Sequence, residues 1–192
     1  MKTPLLSVCL LTYNHVNYIR QAVESVLMQK VDFDFEFIIA DDFSTDGTRD
    51  ILLEYQIKYP DLIKLVLREK NYGAVNNWLK LLPVPRGKYM AYLEGDDYWF
   101  HEGKLQKQIN FLENNQEYSA VHHWQKIAIL NKQGVFVEKT VREKGNGYFP
   151  LEVGGAGDIF AFRMRPQLRT MVYKNVLGDS AGVIGAAFLN LI

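Results

Sequence analysis

The stretch YLEGDDYW, Tyr92 to Trp99, sets three carboxylates, Glu94, Asp96 and Asp97, within four positions directly after an apolar run. Carboxylates that close repel one another, and aspartate is a poor strand former. Such a cluster either caps the helix that follows, in a solvated turn, or gathers around a cation. Mg2+ and Mn2+ prefer oxygen ligands and take one or two carboxylates, with the remainder from water and phosphate. Two or three acids suit a cation shared with a diphosphate and are too few for a closed protein cage. A second acidic pair, Asp41 and Asp42, opens DDFSTDGT. It reads as a turn in which Ser44, Thr45 and Asp46 compete as helix caps, or as a carboxylate that accepts from a nucleobase N–H or a ribose hydroxyl. Tyr13, between Thr12 and Asn14, offers a face on which a base can stack; a packed or surface tyrosine is the alternative.

These side chains need strands that end where they stand. LLSVCLL (5–11), FEFIIA (35–40) and KYMAYLE (88–94) are apolar runs, as expected of strands covered on both faces. LIKLVLR (62–68) alternates, and YSAVHHW (118–124) reads as a further strand. NYIRQAVESVLMQ brings Ile19, Ala22, Val23, Val26 and Leu27 to one helical face, with Asn17 expected as N-cap. TRDILLEYQIKY is helical up to Pro60, NYGAVNNWLKLL gives a loop and a short helix, and GKLQKQINFLENN is strongly amphipathic. The order β-α-β-α-β-α-β-α-β over about the first 125 residues predicts an α/β fold, an open, mainly parallel, Rossmann-like sheet. Ligands of such sheets bind beyond the carboxyl ends of the strands. The loops TYN, DDFSTDG, EKNYG (with Asn71 and Gly73) and EGDD all follow strands and should converge on one crevice.

The 192 residues, 48% apolar and 23% charged, suit one folded domain. Lysine plus arginine equals aspartate plus glutamate, 22 against 22, so no global field recruits nucleic acid or an anionic membrane. The single cysteine, Cys9, sits in an apolar run and reads as a buried thiol in a reducing compartment. The N-terminal run lacks a small-residue cleavage site, and no apolar run reaches the roughly 18 residues of a membrane span. A cytoplasmic protein is expected, with peripheral association at the inner face of the membrane left open and the oligomeric state unread. The dinucleotide GxGxxG, the Walker lysine loop and the GxSxG elbow are absent from the sequence. His122 and His123 are expected within a strand, pointing to opposite faces, and so unable to share a metal. Lys104 and Lys107 are expected on a solvated helix, with Lys104 able to reach a phosphate. QKIAIL and VFVEKT form a predicted hairpin around Asn131–Gly134; no architecture is derived for 140–192.

Taken together, LSVCLLTYNHVNYIRQAVESVLMQ, FEFIIADDFSTDGT, NYG and YLEGDDYWFHEGKLQKQINFLENN closely resemble the family 2 glycosyltransferases of GT-A fold, over about residues 4 to 125. The resemblance implies a nucleotide-sugar donor (a UDP-sugar favoured), a Mg2+ or Mn2+ ion, and inversion at the anomeric carbon by a single displacement. It implies a saccharide or lipid-linked saccharide acceptor, in polysaccharide or glycoconjugate assembly. By the same resemblance, Tyr13 matches the base-stacking aromatic, Asp42 the acid that holds the base N–H, Asp96 the acid near ribose and metal, and Asp97 the direct metal ligand. Glu94 stands where many members carry the first aspartate of that motif. The general base matches Asp179 in VLGDSAG, or else Asp158 in GAGDIF, although the residues expected after it are missing and the chain runs only 13 positions further. Residues 1–125 are thus the expected nucleotide-sugar-binding core, and 126–192 an acceptor-side or truncated segment of the same domain. A nucleotide-sugar-binding fragment without turnover is the alternative. A sugar-phosphate nucleotidyltransferase ranks low, since TYNHVNY stands where its glycine- and arginine-rich loop belongs.

Overall fold

The computed structural model describes residues 3–123, 126–130, 136–140 and 171–175. Four strands alternate with helices: β1 (Leu6–Thr12), α1 (Ile19–Leu27), β2 (Phe35–Asp41), α2 (Thr48–Lys58), β3 (Ile63–Leu67), α3 (Ala74–Leu81), β4 (Tyr89–Glu94) and α4 (Lys104–Asn114). Then come β5 (Ala120–Val121), β6 (Lys126–Leu130), β7 (Phe136–Thr140) and β8 (Val172–Lys174). The main sheet has the order β3-β2-β1-β4-β8-β5, and β6 and β7 form the expected antiparallel hairpin. Strands β1 to β4 are parallel, whereas β8 runs antiparallel to β4 and β5.

The chain winds outward from β1 through β2 to β3, then returns to place β4 on the other side of β1. The order therefore reverses at β1, which is where open α/β sheets bind ligands. Register brings the tips level: Thr12 pairs with Asp41, and Leu11 with Glu94.

Side-chain alternation splits the core between the two faces. Leu6, Val8, Leu10, Phe37, Ile39, Ala91 and Leu93 pack with α1, α2 and α4 on one face. Cys9, Leu11, Ile38, Ala40, Met90 and Tyr92 pack with Leu81 of α3, with Met171 and with Tyr173 of β8 on the other. Helices thus cover both faces, which is why these strands read as unbroken apolar runs.

Two local expectations are corrected. Helix α1 begins at Ile19 with Tyr18, not Asn17, at the N-cap, and no side chain caps it. The His15 carbonyl accepts from the N–H groups of Tyr18 and Ile19 instead. Strand β5 stops at Val121, so His122 and His123 lie beyond it and strand alternation does not govern them. Among the described residues no helix is long and apolar enough to cross a membrane.

Candidate functional site

The tips of β1 and β2 are stitched together before any ligand is considered. Asp42 N–H donates to the Thr12 carbonyl at 2.9 Å. Asn14, at φ 55°, donates its N–H to Ser44 Oγ (2.8 Å) and accepts the Thr45 N–H on Oδ1 (2.9 Å). His15 N–H donates to Thr48 Oγ1 (2.9 Å) and Val16 N–H to Asp46 Oδ2 (3.0 Å). Asp46 also accepts the N–H and hydroxyl of Thr48 on Oδ1. Burial works against its ionisation, yet the Thr48 and Val16 hydrogen bonds outweigh it and hold the carboxyl below its usual value. Ser44, Thr45 and Asp46 read in the sequence as competing helix caps. Gly47 takes the N-cap of α2 instead, with no side-chain cap bond, and Ser44, Asp46 and Thr48 satisfy backbone donors of the neighbouring β1–α1 loop.

The two acids of the Asp41–Asp42 pair take different places. Asp41 is fully enclosed, and its Oδ2 accepts from Arg49 Nε and from Ser44 N–H. Arg49 also donates to the Arg68 carbonyl, while Arg68 Nε reaches Asn77 Oδ1 at 2.9 Å. Asp41, expected at the substrate, is thus an internal anchor through Oδ2, while its Oδ1 is buried without a hydrogen-bond partner among the described residues. Asp42 is also buried, and its Oδ1 accepts the Tyr72 N–H at 2.9 Å, which draws the β3–α3 loop to the same tip. In that loop Asn71 Oδ1 accepts the Gly73 N–H at 2.8 Å. Gly73 starts α3 at φ 80°, a conformation that favours glycine. Tyr13 stands half-exposed beside these ties.

At the tip of β4 the ligand oxygens offered by Glu94, Asp96 and Asp97 all lie within 4.8 Å of one another. The turn closes through Asp97 N–H to the Glu94 carbonyl (3.0 Å), and Gly95 N–H donates to the Leu11 carbonyl (2.8 Å). A Cβ on Gly95 would sit 2.6 Å from Thr12 Oγ1 and 2.7 Å from His15 Nδ1. Only glycine lets the acidic turn press against the tip of β1. Tyr92, whose hydroxyl lies 3.3 Å from Glu94 Oε1, feels the cluster: burial first, and then Glu94, Asp97 and Asp96, push its phenol well above the usual value. The four tips meet at the switch point as the loops predicted.

Lys104 departs from its expectation. It is buried rather than solvated, its Nζ has no hydrogen-bond partner among the described residues, and the amine lies 3.7 Å from the Trp99 ring centroid. Burial pulls its pKa well below the ordinary lysine value. Packed on Trp99, this amine is not presented to a phosphate. Asp179 and Asp158 lie outside the described residues.

The description of glycosyl transferase family 2 matches residues 7–169, most of the chain. The chain belongs to glycosyl transferase family 2. An uncharacterised protein of Mycobacterium bovis is 41% identical over 118 residues, covering 62% of this chain and 34% of its own. TuaG of Bacillus subtilis, whose name assigns it provisionally as a teichuronic acid biosynthesis glycosyltransferase, is 38% identical over 138 residues, 72% of this chain and 52% of its own. This family member thus spans between about a third and about half of the length of these relatives. Among solved structures, Staphylococcus aureus TarS 1–349 with UDP superposes with a TM-score of 0.64 at 23% identity, covering 90% of this chain and 47% of that one. A mannosyltransferase of Pyrobaculum calidifontis with GDP-Man and Mn2+ gives a TM-score of 0.56 at 23% identity, covering 64% and 36%. At such identities these likenesses establish the fold, which is GT-A.

Proposed function

We propose that the chain binds a nucleotide-sugar, a UDP-sugar by preference, as the donor-side part of an inverting glycosyltransferase that glycosylates an acceptor hydroxyl of a saccharide or lipid-linked saccharide. The observation that carries this reading is the convergence of the β4 acids with the tied tips of β1 and β2. The oxygens of Glu94, Asp96 and Asp97 are hard donors, clustered and only partly buried. Such a set fits Mg2+ or Mn2+ with positions left for water and phosphate. Asp96 and Asp97 would hold the ion, with Glu94 beside them. A bound cation would neutralise the charge that builds on the departing nucleoside diphosphate.

The remaining work falls to side chains. Tyr13 stacks on the base, and Asp42 accepts from its ring N–H; both stand beside the switch point between β1 and β4. Thr12, Asn14, Asn71 and Gly73 shape these strand tips more through the loop ties they make than through free polar atoms. Asp179 takes the proton from the acceptor hydroxyl as it attacks, with Asp158 as the alternative base. The UDP preference is supported by the UDP and UDP-GlcNAc complexes of TarS. A role in surface polysaccharide assembly is supported by the name of TuaG.

The second reading is donor binding without transfer. Titration with UDP in the presence and absence of Mn2+, followed by assay of sugar transfer, tests both. No Mn2+-dependent UDP binding overturns the donor site; binding with no transfer to any saccharide acceptor leaves the second reading.

A further inference from the structure

Two non-glycine residues among those described have left-handed backbone, Asn14 and Phe43, at φ 55° and 69°. They stand at the tips of neighbouring strands. Asparagine tolerates this region because its short polar side chain bonds locally, as Asn14 does to the Thr45 N–H. Phenylalanine has no such compensation, and a bulky residue there is an outlier that costs free energy.

Among the described residues, neither burial nor a strong side-chain contact of the ring offsets that cost. The Phe43 ring is 40% exposed, so burial does not repay it. The Arg49 guanidinium lies 5.2 Å from the ring centroid, but a cation–π contact at an exposed site is weak beside a left-handed bulky residue. Glycine would hold the same turn without strain. Strain kept without a structural return collects at ligand clamps.

The position of the residue says which ligand. Phe43 directly follows Asp42, whose N–H is tied to Thr12, and directly precedes Ser44, whose hydroxyl is tied to Asn14 N–H. It therefore sits between the two ties that join the β2 tip to the Tyr13 loop. Tyr13, 44% exposed, and Phe43, 40% exposed, are half-exposed aromatic residues in the two loops that these ties join. A flat heteroaromatic base is the chemistry that two such rings recognise, and the contact grows with the π-surface of the base.

We propose that Phe43 is a base-contacting residue that sets the preference among nucleobases, an inference that rests on the nucleotide-binding reading above. The test titrates the full chain, with Mn2+ throughout, with UDP, GDP and inorganic pyrophosphate, the last a probe of the acidic tip alone. Phe43→Gly should weaken UDP and GDP binding by about tenfold, change the ratio of the two affinities, and leave pyrophosphate binding unchanged. Phe43→Tyr, which keeps a ring, should bind both nucleotides like the wild type. Phe43→Leu keeps bulk and the left-handed backbone but no ring, and should lose affinity as Phe43→Gly does; it decides the matter if the glycine variant does not fold. Unchanged nucleotide affinity in folded Phe43→Gly or Phe43→Leu overturns the proposal and leaves the donor site standing. So does an equal loss of pyrophosphate affinity, which marks Phe43 as a support of the fold. A wild-type chain that binds pyrophosphate but neither nucleotide overturns both readings together.

Discussion

Asp42 and Tyr72, 30 positions apart, are joined at 2.9 Å, the Tyr72 N–H donating to Asp42 Oδ1. The acid proposed to read the base is thus also the peg on which the β3–α3 loop hangs. Its two roles separate by substitution. In Asp42→Asn the amide oxygen can still accept from Tyr72, so the fold and melting temperature should persist. The charged acceptor is lost, which should weaken UDP binding by about 1.5–3 kcal/mol. Asp46→Asn should do the reverse, lowering stability through its ties to Thr48 and Val16 while leaving UDP affinity nearly unchanged. Calorimetric titration beside thermal melts of the two variants checks this. Equal UDP affinities would show that the wrong acid carries the contact.

Asp97→Ala should abolish Mn2+-dependent UDP binding in a chain that still folds, because a partly exposed strand-tip acid contributes little packing. The isotherm is to be measured with Mn2+ and with EDTA. A folded variant whose UDP affinity still responds to Mn2+ as the wild type does removes Asp97 from the metal site.

Asp179→Asn should spare donor and metal binding and lower transfer by about 10²–10⁴-fold, the usual contribution of a general base. The loss should appear in kcat and in kcat/KM, since the group acts only as the acceptor proton moves. Transfer assays beside donor isotherms decide it. Full transfer by the variant shifts the assignment to Asp158.

Lys104→Met should raise the melting temperature at pH 7. Desolvation of a buried ion costs several kcal/mol, against about 2 kcal/mol for a desolvated cation–π contact, so burial disfavours the charged amine beside Trp99. The folded pKa lies well below 10.5, so between it and the unfolded value the unfolded chain binds the extra proton. Stability of the wild type should therefore rise with pH across that window. The gap between wild type and Lys104→Met should narrow as pH climbs from 7 towards 10. Melting curves of both proteins across this range give the answer. A less stable methionine variant with a parallel pH profile would mean that Lys104 is held as a partnered cation.

The parts of the fold that read correctly from sequence share one physical origin. Strands β1, β2 and β4 are covered on both faces, and uninterrupted burial writes itself as an unbroken apolar run. The acids at their tips were legible because charge after such a run has few uses. Lys104 was not legible: a lysine opening an amphipathic helix looks solvated until the preceding loop is seen to fold Trp99 over it. Asp41 and Asp42 are chemically identical neighbours, and their division into anchor and tip depends on Arg49, eight positions on, turning back to the first of them. Phe43 carried no composition signal, because its oddity lies in a dihedral angle.

Strand β8 has a consequence for how the chain is made. It lies between β4 and β5, pairing Met90 with Tyr173 and Tyr173 with Ala120. A ribosome delivers β1 to β4 first, and the parallel half of the sheet is made of these strands alone. During synthesis of the roughly 50 residues that separate β5 from β8, the flank of β4 shows unpaired N–H and C=O groups, and β5 has no neighbour in the sheet. Open strand flanks are templates for pairing with other chains, and contacts between distant segments form late. A nascent chain cut short before Met171 would therefore leave the flanks of β4 and β5 open and be prone to self-association. Pairing of the three residues of β8 with β4 and β5 closes both flanks.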